Sequence, residues 1–326
     1  MRKVVVLAVL GGSCALMGSR YLSRRAAIAA VPPELRSPFM FLPFPSTARM
    51  LPLTRQISRL SLPPGPGVTV TRHRVDGIPV HVTTPAVGGS RRPAVLWIHG
   101  GGTVLGSPQF ESRPIGRLAR ELNAVVVSPD YRLAPEHPFP APLDDCMATL
   151  RWMRDSADEL GIDADRIAVA GASAGGGITA AVAQRSHDEG IALRAQVIIY
   201  GMLDDRVALA TDHGRRGRFI VGPSAYRFAW TSYLGREARM SDAPNYAAPA
   251  RRKDLLGLPP AWIGVGDIDL LYPENVTYAE RLRECGVPCE LVAVPGMYHG
   301  ADEFAPKADS MKEFRRSIVN HLRAHL

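Results

Sequence analysis

The sequence is short of cysteine throughout and short of acid at one end. Its 326 residues include four cysteines, Cys14, Cys146, Cys285 and Cys289. Cys14 lies in an apolar leader. Cys285 and Cys289 have no second pair of ligands, so a zinc site is not indicated. The three body cysteines, scattered as they are, suggest buried thiols in a reducing compartment rather than a disulfide framework. No repeat recurs at a fixed period. The leader run from Val4 to Met17, after Arg2-Lys3, is broken at Gly11-Gly12-Ser13 and is short of the roughly 20 residues that a membrane span needs. Its length suits a signal-peptide core, with Ala27-Ile28-Ala29 as a small-residue cleavage candidate beyond Arg24-Arg25. A cleaved export signal and an uncleaved membrane-associating arm both stay open, as do cytoplasmic and envelope-associated locations.

The formal net charge is +8, and it sits at one end. Residues 1–60 hold nine basic residues (Arg2, Lys3, Arg20, Arg24, Arg25, Arg36, Arg49, Arg55, Arg59) against one acid, Glu34. The remaining chain has 30 basic and 30 acidic residues. A nucleic-acid enzyme carries basic clusters on its body, so nucleic acid is excluded as a partner. Peripheral contact of residues 1–30 with an anionic lipid surface is the reading that the charge suggests; a solvated targeting segment is the alternative.

The chain divides into three stretches. Residues 1–30 are the apolar and basic leader. Residues 31–66 are dense in proline, which breaks regular structure, with short helical pieces around 48–60; they read as an N-terminal cap segment and linker. Residues 67–326 read as one α/β domain. Val68–Val70 and Ile78–Val82 flank the turn pair Asp76-Gly77 as antiparallel strands. Ala94–Ile98 and Ala124–Val127 are continuous apolar runs, as strands buried on both faces should be. Helical spacing over 143–160 follows. Ile167–Ala170 predicts a strand, 174–188 a helix and Val197–Tyr200 a strand. Ala261–Val265, a helix over 273–285, Leu291–Val294 and a helix over 307–325 complete the series. Such alternation implies a mostly parallel central sheet flanked by helices. Residues 204–250 interrupt it after a strand's C-terminal end, the edge where ligands bind in such sheets. They carry a helical aromatic stretch, Tyr226, Phe228, Trp230 and Tyr233, and are placed as a helical cap insertion.

Two glycine-rich motifs carry chemistry. Gly171-Ala172-Ser173-Ala174-Gly175 joins the strand ending at Ala170 to the helix from Ala174. That is the strand–turn–helix setting in which a G-x-S-x-G serine projects its Oγ from a sheet edge. His99-Gly100-Gly101-Gly102 follows the strand over 94–98. Glycines there let successive N–H groups converge on one point, as an oxyanion requires. A phosphate-binding loop is excluded, because neither Gly-Lys-Ser/Thr nor G-x-G-x-x-G occurs. The base should follow Ser173 in the chain. Of His187, His213, His299, His321 and His325, only His299 lies in a loop just after an apolar strand. For the orienting acid, Asp267 and Asp269 both follow the strand over 262–265. If that strand continued they would point to opposite sides, and the residues alone do not choose between them.

Taken together, His99–Gly102, Tyr131–Glu136, Phe139-Pro140-Ala141, Gly171–Gly177 and His299-Gly300 resemble the hormone-sensitive-lipase-like (bacterial family IV) esterases of the α/β-hydrolase superfamily, from about residue 67 to the C-terminus. The resemblance implies an α/β-hydrolase fold with a helical cap. It selects Asp269, since Asp269-Leu270-Leu271 and Cys285-Gly286-Val287 match the family frame, and leaves Asp267 as runner-up. It implies that the backbone N–H groups of Gly101, Gly102 and Ala174 form the oxyanion hole, with His99, Gly100, Gly171, Gly175 and Glu136 as motif support. Ala301 stands where the family usually has Phe, and Ala172 where one subgroup has Asp.

The implied activity is a serine carboxylesterase cleaving short- to medium-chain acyl esters through an acyl-enzyme, with Ser173 as nucleophile, His299 as base and Asp269 as orienting acid. No cofactor or metal is required. The partner is a small-molecule acyl ester, and a homodimer is left open. Amide or N-acetyl hydrolysis, lipase action and a non-catalytic binding role are the alternatives. The complete triad weighs against the last of these.

Overall fold

A computed structural model describes residues 25–326. The leader features Arg2-Lys3, Val4–Met17 and Cys14 lie outside the described residues. A short helix, α1 (Arg25–Ala29), opens the described chain and covers the Ala27-Ile28-Ala29 segment. Three 3₁₀ turns follow, and then α2 (Leu51–Ser58). No helix among the described residues is long and apolar enough to cross a membrane.

Eight strands form one sheet: β1 (Val68–Val75), β2 (Ile78–Pro85), β3 (Arg92–Ile98), β4 (Val125–Pro129), β5 (Ile162–Ala172), β6 (Gln196–Ile199), β7 (Ala261–Gly266) and β8 (Cys289–Val294). Their order is β1-β2-β4-β3-β5-β6-β7-β8. β1 and β2 form an antiparallel hairpin closed between Val75 and Ile78, at the Asp76-Gly77 turn, and β2 also runs antiparallel to β4. Every remaining pair is parallel. The continuous apolar sequence of β3 and β5 has a direct cause. Val95 and Trp97 face one core with Ala168 and Ala170. Ala94, Leu96 and Ile98 face another with Ile167 and Val169. Both faces are covered, so neither strand has a polar side.

Helix α3 (Ser112–Leu122) packs on the first face and α4 (Ala141–Asp155) on the second. The helical spacing over 143–160 is therefore not one helix. It breaks at Ser156 into α4 and the single turn α5 (Ala157–Leu160), which Gly161 ends in the left-handed conformation. Helix α6 (Ala174–Asp188) leaves β5, α7 (Pro223–Leu234) lies in the 204–250 insertion, and α8 (Tyr272–Glu284) joins β7 to β8. The C-terminal helix begins two residues later than its spacing suggests. A separate turn, α9 (Ala301–Phe304), precedes α10 (Asp309–His325).

The insertion contains one helix rather than a helical layer; the rest is turn and loop. Pro223 starts α7 and Gly235, at φ +66°, stops it. Its Tyr226, Trp230 and Tyr233 are buried, while Phe228 is half-buried. The N-terminal segment meets the insertion directly: the Phe44 N–H donates to the Ile220 carbonyl at 3.3 Å. All three body cysteines are free thiols, but only Cys146, inside α4, is buried. Cys285 and Cys289 are half-exposed because they flank the loop between α8 and the outermost strand, β8.

Candidate active site

The site is assembled at the C-terminal ends of β3, β5, β6, β7 and β8. Ser173 is the single residue between β5 and α6, at φ +57° and ψ −122°. For a residue with a Cβ that conformation costs about 1–3 kcal/mol and persists only where its surroundings enforce it. They do. The Ser173 N–H donates to the Ile199 carbonyl at 2.9 Å, and its own carbonyl accepts from Gly177 and Met202. Gly175 lets the helix start lie against β3: a Cβ there would fall 2.1 Å from the Ile98 carbonyl oxygen.

His299 lies in the loop after β8. Its Nε2 is 2.9 Å from Ser173 Oγ, and its Nδ1 is 2.8 Å from Asp269 Oδ2. Asp269 Oδ1 accepts the Leu271 N–H at 3.0 Å, which fixes the carboxylate plane. Asp267 sits elsewhere. Its Oδ1 accepts the Gly296 N–H at 2.6 Å and its Oδ2 pairs with Arg215, so it braces the base of the loop that carries His299. The expectation that alternation separates the two aspartates does not apply. β7 ends at Gly266, and the Asp269 N–H donates back to the Gly266 carbonyl in a turn.

The His99–Gly102 loop approaches Ser173 from β3. A Cβ on Gly100 would lie 3.6 Å from the Ser173 Cβ. Gly101 has φ +114°, and a Cβ there would meet the Leu105 carbonyl oxygen at 2.1 Å. The N–H groups of Gly101, Gly102 and Ala174 donate to no acceptor among the described residues. His99 turns away from this face. It is buried, its ring stacks on Tyr131 at 4.1 Å, and its Nδ1–H donates to the Gly100 carbonyl. Burial pulls it down to about 4, so it stays neutral. The Tyr131 hydroxyl donates to the His99 carbonyl, locking the loop's start. Glu136 is remote from these atoms. It forms a two-pronged ion pair with Arg55 of α2, at 2.7 and 2.8 Å.

Three side chains beside the site escape sequence reasoning. Glu111 Oε1 accepts the Gly100 N–H at 2.9 Å and Oε2 accepts the Trp97 indole N–H at 2.6 Å. Burial pushes its carboxyl up to about 7, against the pull of those two donors. The Tyr200 ring lies 4.6 Å from the His299 ring, and its hydroxyl donates to Asp302 Oδ1 at 2.8 Å. Burial raises the Asp302 carboxyl as well. A weak signal for Glu111 existed: a buried indole N–H usually finds an acceptor, although that of Trp262 on β7 has none among the described residues. No signal marked Tyr200 or Asp302.

The arrangement can deliver a hydroxyl nucleophile, a base within hydrogen-bond reach of it, and a carboxylate holding that base. Among the described residues, no three or more His, Cys, Asp or Glu side chains are grouped so as to hold a metal ion.

Comparison with known proteins points the same way. Residues 95–303 match the family described as alpha/beta hydrolase fold. The chain is similar to carboxylesterase NlhH of Mycobacterium tuberculosis, at 40% identity over 73% of this chain and 75% of the relative. It is also similar to an arylesterase of Saccharolobus solfataricus, at 33% identity over 68% and 72%. Among solved structures, a bacterial heroin esterase superposes with a TM-score of 0.81 at 32% identity, covering 91% of this chain and 98% of that one.

Proposed function

Because this chain belongs to the α/β-hydrolase family and is a carboxylesterase, we propose that Ser173, His299 and Asp269 are its catalytic triad, acting on short- to medium-chain acyl esters. The observation that carries the reading is the unbroken hydrogen-bonded line Ser173 Oγ–His299–Asp269, at 2.9 and 2.8 Å. His299 Nε2 takes the serine proton as Oγ attacks the ester carbonyl. Asp269 holds the imidazole with its Nδ1 protonated and stabilises the imidazolium that forms. The N–H groups of Gly101, Gly102 and Ala174 receive the oxyanion; one such donor is worth about 2.7–4 kcal/mol in the transition state. His299 then protonates the leaving alcohol, and water releases the acid by the same route.

Residues 31–66 and the insertion at 204–250 together form the cap in this reading. Gly102 supports it, since a Cβ there would touch Phe44 of the first segment at 3.0 Å and Ala229 of the second at 3.1 Å. Residues 1–30 make peripheral membrane contact; deleting them should weaken membrane partitioning, and a deletion that partitions like the full chain removes that part of the reading.

The test is hydrolysis of p-nitrophenyl esters from acetyl to palmitoyl by wild type and Ser173→Ala in parallel. Rates that peak at short chains and collapse at least about 10³-fold in the variant are expected. Equal rates above background for the two proteins would overturn the triad, and near-background rates for both would overturn the short- to medium-chain ester reading in favour of amides.

A further inference from the structure

Helix α2 turns most of its apolar surface to solvent, the reverse of an ordinary surface helix. Such helices turn an apolar stripe to the core and polar groups to water. Here the guanidinium of Arg55 points inward. It donates to the Val104 carbonyl at 2.8 Å and the Ala134 carbonyl at 2.7 Å, as well as to Glu136. Ser58 also faces in, accepting the Gly106 N–H at 3.2 Å and, through its carbonyl, the Ser107 hydroxyl at 2.5 Å. Leu51, in the first turn, packs inward against Val104 and Ala134, but the apolar side chains after it face out. Leu53 is 56% exposed, Ile57 45% and Leu60 59%. Leu53 and Ile57 are four residues apart, and so lie on one helix face; Leu60 continues the stripe beyond the helix end. Phe110, 41% exposed, is on the neighbouring segment, where the Leu62 N–H donates to the Gln109 carbonyl. These are four of the ten large apolar side chains exposed among the described residues. Scattered exposed apolar residues need no explanation, but a cluster marks an interaction surface.

Charge identifies what meets it. No Asp or Glu occurs between Glu34 and Asp76, while Arg36, Arg49, Arg55, Arg59, Arg72 and Arg74 do. Arg49 precedes Leu53 by four residues and Arg59 adjoins Leu60; both are exposed. An apolar stripe flanked by arginine, in an acid-free stretch, is the composition of a segment that lies in a lipid interface. Phosphate headgroups of anionic lipids attract such arginines within a Debye length.

We propose that the outward face of α2 and its continuation to Leu60 docks on an anionic phospholipid surface, with Leu53, Ile57 and Leu60 entering the headgroup–acyl boundary and Arg49 and Arg59 meeting lipid phosphates. This surface is separate from residues 1–30. It stands on the cap segment above the site, since α2 is fastened to Val104, Gly106 and Ser107 just beyond the Gly101-Gly102 pair. Docking here brings the cap against lipid without altering the residues that react.

The test is co-sedimentation of the full 326-residue chain with vesicles of equal parts phosphatidylglycerol and phosphatidylcholine, and with phosphatidylcholine alone. Wild type should partition at least tenfold more strongly onto the anionic vesicles, and salt should weaken this. Leu53→Glu/Ile57→Glu should lose at least tenfold of that partitioning and keep its rate on p-nitrophenyl acetate. Arg49→Gln/Arg59→Gln should lose the preference for anionic over neutral vesicles. The soluble-ester rate reports the esterase reading independently of lipid binding, and retained activity certifies the fold. If the glutamate pair does not fold, Leu53→Gln/Ile57→Gln decides by the same sedimentation. A double variant that sediments like wild type overturns the proposal and assigns binding to residues 1–30. A wild type that ignores anionic vesicles also overturns it, as does a wild-type dimer that the double variant converts to monomer without any vesicle binding, which would assign the stripe to a second copy.

Discussion

Glu111→Gln should change activity and stability in opposite directions, each governed by pH. The carboxylate accepts two N–H groups, one from the Gly100 backbone and one from the Trp97 indole. A glutamine offers one acceptor oxygen and sets its NH₂ against the other donor. A lost hydrogen bond to a charged acceptor is worth about 1.5–3 kcal/mol. If that loss falls wholly on the loop carrying Gly101 and Gly102, kcat drops roughly tenfold to a hundredfold at pH 8, where the wild-type carboxyl is ionised. Below pH 6 the wild type holds its own proton, so the gap in kcat closes. Stability runs the other way. The carboxyl is raised from its ordinary 4.5 to about 7, chiefly by burial and partly by the neighbouring Asp302. Below pH 4.5 the folded and unfolded chains both carry the proton. Between 4.5 and 7 the unfolded chain releases it and the folded chain keeps it, so wild-type stability falls as pH rises, by about 3 kcal/mol in all. Glutamine ionises in neither state and escapes that loss. Relative to wild type, the variant's Tm should therefore climb between pH 4.5 and 7.5 while its relative kcat declines. The assays are kcat and KM for p-nitrophenyl acetate and thermal unfolding, both across pH 5–8.5. A variant that matches wild-type kcat at pH 8, or whose relative Tm falls with rising pH, refutes the reasoning.

Asp269→Asn should lower kcat by about 10⁴, as loss of the group that fixes the imidazole tautomer does, whereas Asp267→Asn should leave most of kcat, because its bond to the Gly296 N–H survives as an amide oxygen; equal losses in steady-state assays would reverse the two assignments. Gly101→Ala should abolish turnover and depress Tm, since the added Cβ would sit 2.1 Å from the Leu105 carbonyl oxygen; a variant with normal kcat would show that this backbone is not held as described. Tyr226→Phe removes a hydroxyl 2.7 and 2.8 Å from the two oxygens of the buried Glu274 carboxyl. It should destabilise by about 1–3 kcal/mol in denaturant titration, and a change below 0.5 kcal/mol would mean that Glu274 finds another donor.

The sheet was legible because its strands obey the simplest rule available: cover both faces and the sequence becomes apolar throughout. Leu96, Val126 and Val169 needed no context to be read as buried. The hairpin was legible from Asp76-Gly77, whose turn sets the register Val75↔Ile78. Long-range geometry was not. Helical spacing over 143–160 hid the break at Ser156, because a second amphipathic turn can follow the first in phase. The thiols of Cys285 and Cys289 depended on which strand lies at the sheet edge, and spacing does not carry strand order.

For the site, local context did most of the work. Ser173 and His99–Gly102 were readable because strand, turn and helix adjoin them in sequence, and His299 because no other downstream histidine lies in a loop just after an apolar strand. The choice between Asp267 and Asp269 was not readable from alternation, because alternation belongs to strands and both residues lie past the end of one. Glu111 was hidden for a related reason. Its two donors are 11 and 14 residues away, and an acid before a helix ordinarily reads as solvated. Glu111, Tyr200 and Asp302, which were not readable, share one property with Ser173, which was: they break local preference. Ser173 holds a positive φ with a Cβ, Tyr200 does so at +38°, and Glu111 and Asp302 are carboxyls pulled out of water. Each is unfavourable alone and tolerable only where tertiary contacts enforce it. Such violations concentrate where a fold spends stability on geometry. Glu111 meets the Gly100 N–H, Tyr200 the His299 ring and Asp302 the Tyr200 hydroxyl, so the convergence of these three is a second argument for the site's location, independent of the motifs that first suggested it.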